Sequence, residues 1–129
     1  MLRTFLKSKI HRAIVTESNL DYVGSLTIDS YLMELADIKE YEQIQVLNIS
    51  SGNRLTTYAI SGQRNSGTIS ANGAASHQIK KGDLVIILSY AQVSEEEIKN
   101  FRPKIVHVDK NNKADVTSDA VIDLAAKVY

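Results

Sequence analysis

The side chains of this chain best equipped for chemistry are hydroxyls, two cations and an asparagine, because it contains no cysteine. Ser25 follows Gly24 inside the run Leu20-Asp21-Tyr22-Val23-Gly24-Ser25-Leu26-Thr27-Ile28-Asp29. Taken alone, Gly-Ser is ordinary turn punctuation between strands. Arg54 can grip a carboxylate through two parallel hydrogen bonds and Lys9 can supply a point charge, although most such cations are simply solvated. Tyr58 carries a phenol that keeps its proton at neutral pH, with an ordinary pKa of about 10, so it donates only to a strong base. Its plainer role is a strand residue with the hydroxyl at the rim. Asn72-Gly73-Ala74-Ala75 reads as a hairpin turn, or as the start of a short helix whose free N–H groups favour a carboxylate.

Composition removes whole classes of function. Without cysteine there are no disulfides, thiolate nucleophiles or cysteine-ligated metals, a pattern that suits the cytoplasm. His11, His77 and His107 are far apart and lack metal-binding spacing, so no metal is expected. No glycine-rich phosphate loop precedes a helix start, which argues against pyridoxal phosphate. A formal net charge of zero with interspersed signs gives no footprint for nucleic acid or an anionic membrane. Arg3, Lys7, Lys9 and Arg12 interrupt the N-terminal segment, which therefore reads as neither signal peptide nor membrane span.

The 129 residues are enough for a single domain, 1–129, with one modest core. Residues 1–16 read as two short strands around Lys7-Ser8-Lys9. Asp29 can cap a brief helix over 30–36, followed by an alternating strand over 43–49, a turn at 50–53 and a return strand over 54–61. Residues 62–67 read as a loop and 68–71 as a short strand. The apolar run 83–91 predicts a strand covered on both sides, at the centre of the core. Ser94 and Glu97 match a capping box at the start of a helix over 95–101, which also explains Glu95-Glu96-Glu97 without chemistry. Pro103 ends that helix, 104–108 is a last strand, and 109–113 a turn. Many short strands with few helices predict a mainly β fold closed into a small barrel, since closure removes exposed edges.

The Gly24-Ser25 run, the segment Arg54-Leu55-Thr56-Thr57-Tyr58-Ala59-Ile60, the segment Ile69-Ser70-Ala71-Asn72-Gly73-Ala74-Ala75 and the opening Met1–Arg12 together resemble the pyruvoyl-dependent aspartate 1-decarboxylases. The resemblance runs from Met1 to about Lys113. It implies a double-psi β-barrel, assembled as a homotetramer with active sites between subunits. It also implies self-cleavage into 1–24 and 25–129, in which Ser25 attacks the Gly24 carbonyl with Thr57 as oxyanion donor. The cofactor would be a covalent pyruvoyl group generated from Ser25, whose ketone condenses with the amine of L-aspartate. Tyr58 would be the proton donor, and Lys9, Arg54, Thr57, Asn72, Gly73, Ala74 and Ala75 the substrate-binding residues. A maturation factor is a further possible partner. His11 sits beside the expected active-site lysine, and His77 and His107 are read as structural. Ser76 departs from the family's alanine run and Asp21 from the histidine expected before the tyrosine. The rival readings are a non-catalytic β-barrel that binds or regulates, and a pyruvoyl decarboxylase for another acidic amino acid.

Overall fold

The computed structural model describes residues 1–21 and 24–115, and the backbone of 121–123. Residues 22 and 23 and the remainder of the tail lie outside the described residues. Leu2–Ile14 forms one strand, β1, rather than two. Its pairing with β7 (Leu84–Ser94) shifts register between Leu6 and Ser8 and again between Ile10 and Ala13. Such irregularities upset the sequence alternation without ending the strand, which is why one strand reads as two.

The chain continues through β2 (Glu17–Asn19), β3 (Ser25–Asp29), α1 (Ser30–Ala36), β4 (Gln43–Asn48) and β5 (Arg54–Gly62). Then come β6 (Ile69–Asn72), a 3-10 turn over Gly73–His77, β7, α2 (Glu95–Ile98), β8 (Lys104–His107) and β9 (Val121–Asp123). The strands form one sheet in the order β2-β6-β3-β5-β4-β7-β1-β8-β9. β2 resumes the path of β1 after Val15 and Thr16, and the Thr16 N–H donates to the Ile69 carbonyl at 2.8 Å. One stretch of chain therefore borders β7 at its start and β6 at its end, which closes the sheet into a small barrel. The mainly β expectation holds. What the strand pattern could not supply is the mixture of parallel pairs, β2 with β6, β3 with β5 and β1 with β8, among antiparallel ones.

The barrel interior is aliphatic: Ile10, Leu26, Ile28, Ile44, Val46, Ile69, Val85 and Ile87 are all buried. β7 lies between β1 and β4, central as expected, yet its two faces differ. Val85 and Ile87 are fully buried whereas Leu84 and Ile86 are only half-covered. The capping box of α2 is formed, but the helix stops at Ile98 rather than Phe101. Its continuation tightens, with the Asn100 and Phe101 N–H groups bonding three residues back to Glu97 and Ile98.

Asp29 caps α1 and does more. Its Oδ1 accepts from the Tyr31 and Asn65 amides and its Oδ2 from the Gly67 amide, each at 2.9 Å. One buried carboxylate thus ties the end of β3 to the loop that leads into β6. Replacing Asp29 with Ala leaves three amides without this acceptor, and we expect a loss of roughly 3 kcal/mol or more in urea unfolding. Asp29→Asn, which keeps one carbonyl oxygen, should fall between. A loss under about 0.5 kcal/mol for Asp29→Ala would show that the carboxylate does not hold this junction.

Candidate active site

β3 and β6 run antiparallel with Ser25 opposite Asn72 and Thr27 opposite Ser70. Because side chains alternate along a strand, these four polar residues share one face, while Leu26, Ile28, Ile69 and Ala71 fill the core from the other. Ser25, Ser70 and Asn72 are buried. They satisfy one another, as buried polar groups must. Ser70 Oγ donates to Asn72 Oδ1 at 3.1 Å, and Asn72 Nδ2 donates to Thr27 Oγ1 at 2.8 Å and to Ser25 Oγ at 3.3 Å.

Ser25 begins β3 with φ of 118°, a backbone region that residues with a Cβ seldom enter. A Cβ added at Gly24 would meet nothing within 4 Å among the described residues. The Gly24 carbonyl accepts a hydrogen bond from Tyr58 Oη at 3.2 Å. β5 runs parallel beside β3, so Tyr58 and Thr57 come within reach of the Gly24-Ser25 bond.

Gly24, Ser25, Leu55, Thr56, Thr57, Tyr58, Ala74, Ala75 and Gln78 line a cleft of about 250 Å³. Segments distant in sequence therefore meet here: the head of β3, the middle of β5 and the 3-10 turn after β6. The turn settles the open reading of Asn72–Ala75 in favour of a helix start. Asn72 occupies its cap position without capping it, because the amide side chain is turned towards Ser25 and Thr27 instead. Gly73, next in sequence before the lining residues Ala74 and Ala75, is buried with φ of 61°.

The two expected cations lie elsewhere. Arg54 is exposed at the first position of β5, ahead of the lining residues. Lys9 lies in β1, paired with Leu88 and Ile105, and β4 and β7 separate its strand from β5. Neither lines the cleft of its own chain. Thr27, Ser70 and Gln78 were not singled out from the sequence. The polar alternation of Ser25-Leu26-Thr27 and Ser70-Ala71-Asn72 is the signal that marks the first two.

A family model for aspartate decarboxylase matches residues 1–115. The aspartate 1-decarboxylase of Thermoanaerobacter pseudethanolicus is 59% identical over 113 residues, covering 88% of this chain and 97% of that protein. Those of Acetivibrio thermocellus and Methylobacillus flagellatus are 58% and 55% identical over 113 residues, each covering 88% of this chain and 90% of the relative. Fold and comparisons together define a carboxy-lyase built on a small β-barrel. The chain belongs to the aspartate decarboxylase family. Among the described residues no helix is long and apolar enough to cross a membrane, and no group of three or more His, Asp or Glu could hold a metal ion.

His11 is not among the residues that line the cleft. It stands opposite His107 of β8 with the rings edge to face, centroids 5.4 Å apart. Burial, then the neighbouring Lys9, His107 and Arg12, lower its pKa to about 4. The unfolded chain, with an ordinary His pKa near 6.5, binds the proton more readily between these values. Stability contributed by the neutral ring is therefore present above pH 6.5 and is lost as pH falls towards 4. His11→Gln should show a smaller drop in urea midpoint between pH 7 and pH 4.5 than the unsubstituted protein. An equal drop would mean that His11 does not take up the proton.

Proposed function

We propose that this chain is a self-processing L-aspartate decarboxylase, releasing β-alanine and carbon dioxide in pantothenate, and hence coenzyme A, biosynthesis. Its cofactor is a pyruvoyl group made from Ser25. The observation that carries this reading is the state of Ser25, buried at φ 118° with its Oγ beside Asn72 and the preceding carbonyl within reach of Tyr58.

Ser25 Oγ attacks the Gly24 carbonyl carbon, and the C–N bond between the two residues breaks to leave an ester and a free amine. Loss of the Ser25 Cα proton with rupture of its Cβ–Oγ bond releases 1–24 with a terminal carboxylate. Water replaces the nitrogen of residue 25, which leaves as ammonia. A strained backbone of this kind stores on the order of 1–3 kcal/mol, and breaking the bond before Ser25 relieves it. The oxyanion needs a prearranged donor. Thr57, lining the same cleft, fills that role. The Tyr58 bond to Gly24, at 3.2 Å, is long for a hydroxyl donor, whose usual range is about 2.5–3.0 Å.

When present, the pyruvoyl ketone supplies the electron sink that decarboxylation of an α-amino acid requires. The cleft, at 250 Å³, is smaller than most ligand pockets, which run from about 300 Å³, and suits a small amino acid. Arg54 and Lys9 hold the substrate carboxylates, and Asn72, Gly73, Ala74 and Ala75 contact the substrate with small side chains and backbone amides. Tyr58 donates a proton to the substrate α-carbon in place of the lost carboxylate. The position of Lys9 away from its own chain's cleft suits a homotetramer in which a neighbouring subunit supplies it. The whole chain, 1–129, acts in the cytoplasm as one domain that matures to 1–24 and 25–129, with or without a maturation factor.

Intact mass under denaturing conditions should reveal a fragment ending at Gly24 and another beginning with a carbonyl-bearing residue 25. Ser25→Ala should stay whole and release no carbon dioxide; release from aspartate by that variant would sink the mechanism. We expect Thr57→Val to cleave about a hundred- to a thousandfold more slowly, whereas Tyr58→Phe should cleave normally and fail to turn over. Aspartate should be preferred to glutamate in carbon dioxide release, and the reverse preference would reassign the substrate.

A further inference from the structure

The bond from Ser70 to Asn72 satisfies two buried polar groups, and it also bears on where the Asn72 amide points. Ser70 lies on the polar face of β6 rather than in the aliphatic core, its hydroxyl donating to Asn72 Oδ1 at 3.1 Å. The amide has three hydrogen-bonding points in use, Oδ1 towards Ser70 and the two N–H groups towards Thr27 and Ser25. The Thr27 bond, at 2.8 Å, is firm, and the Ser25 bond, at 3.3 Å, is long. A long bond locates an oxygen more than it activates it. Where the amide points then decides where Ser25 Oγ rests, and the amide is held from two sides, by Thr27 and by Ser70.

We propose that Ser70 is a positioning residue for self-cleavage: through Asn72 it fixes the rotamer of Ser25 from which Oγ reaches the Gly24 carbonyl. The inference rests on the self-cleavage reading above. Without the Ser70 hydroxyl, Asn72 Oδ1 loses its donor in a buried setting and the amide can turn about the Thr27 contact, releasing Ser25 Oγ. Misplacement of a reacting atom by about 1 Å costs up to about a hundredfold in rate, so Ser70→Ala should mature ten- to a hundredfold more slowly, on the order set by that geometry.

The test is a double-mutant cycle on the full-length chain, with maturation followed by intact mass over days and folding by circular dichroism. Ser70→Ala and Asn72→Ala should each slow cleavage, and the double variant should be no slower than Asn72→Ala alone, because Ser70 acts only through that amide. A general structural role would instead slow the double variant further, and that outcome overturns the proposal. So does Ser70→Ala maturing at the unsubstituted rate. If Ser70→Ala does not fold, Ser70→Cys, close in size but a weak donor, takes its place in the cycle under the same criteria. An unsubstituted chain that never cuts would overturn the self-cleavage reading and this inference with it; normal cutting with a fast Ser70 variant removes only the role of Ser70.

Discussion

The register of β3 against β6 is the constraint on which the rest of the site depends. With Ser25 opposite Asn72, polar side chains at 25, 27, 70 and 72 line up on one face and Leu26, Ile28, Ile69 and Ala71 seal the core on the other. A slip of one residue would turn every side chain to the opposite face, burying hydroxyls among aliphatic groups. Several features oppose that slip. β5 pairs with β3 from the other side, Asp29 anchors the end of β3 to three amides, and Thr16 joins the end of β1 to Ile69.

That pinning explains how a serine can be held at φ 118°. Strained backbone persists only where its surroundings over-determine it, and β3 is paired on both edges inside a closed barrel. The buried polar cluster follows the same logic, since Asn72 satisfies Ser25, Thr27 and Ser70 at once. An apolar residue at any of these places would leave neighbours without partners, at roughly 1–3 kcal/mol each. Stability and chemistry therefore draw on the same contacts.

Barrel closure has a second consequence. Because β1 runs into β2, the N-terminal segment both completes the barrel and leads directly to the Gly24-Ser25 bond. Cutting there would leave β1 and β2 held by strand pairing against β7, β8 and β6, by core packing of Ile10, Ala13 and Val15, and by side-chain bonds such as Lys7 with Glu42 and Ser18 with the Ile79 carbonyl. Ten paired positions with β7 bind β1 into the centre of the sheet, so the barrel has a physical means of keeping both pieces together.

Much of this was legible in the residues themselves. Asp29 and Ser94 announced their helices because capping is a local exchange of hydrogen bonds between near neighbours, and β4 with β5 read as a hairpin because the turn lies between them. The segments around Ser25, Tyr58 and Asn72 pointed by resemblance to one family, which the family match supports. β1 misled, since its shifts of register exist only against β7, more than seventy residues away. Likewise, local pattern could not show that Ser25 and Thr27 lie across from Asn72 and Ser70, that Ser25 takes a positive φ, or that Lys9 stands away from the cleft of its own chain. Sequence by itself determined residue types, caps, turns and alternation, because these rest on interactions between neighbours along the chain. Tertiary structure alone decided which faces meet and where strain is stored, because those depend on the register between strands that the chain brings together from afar.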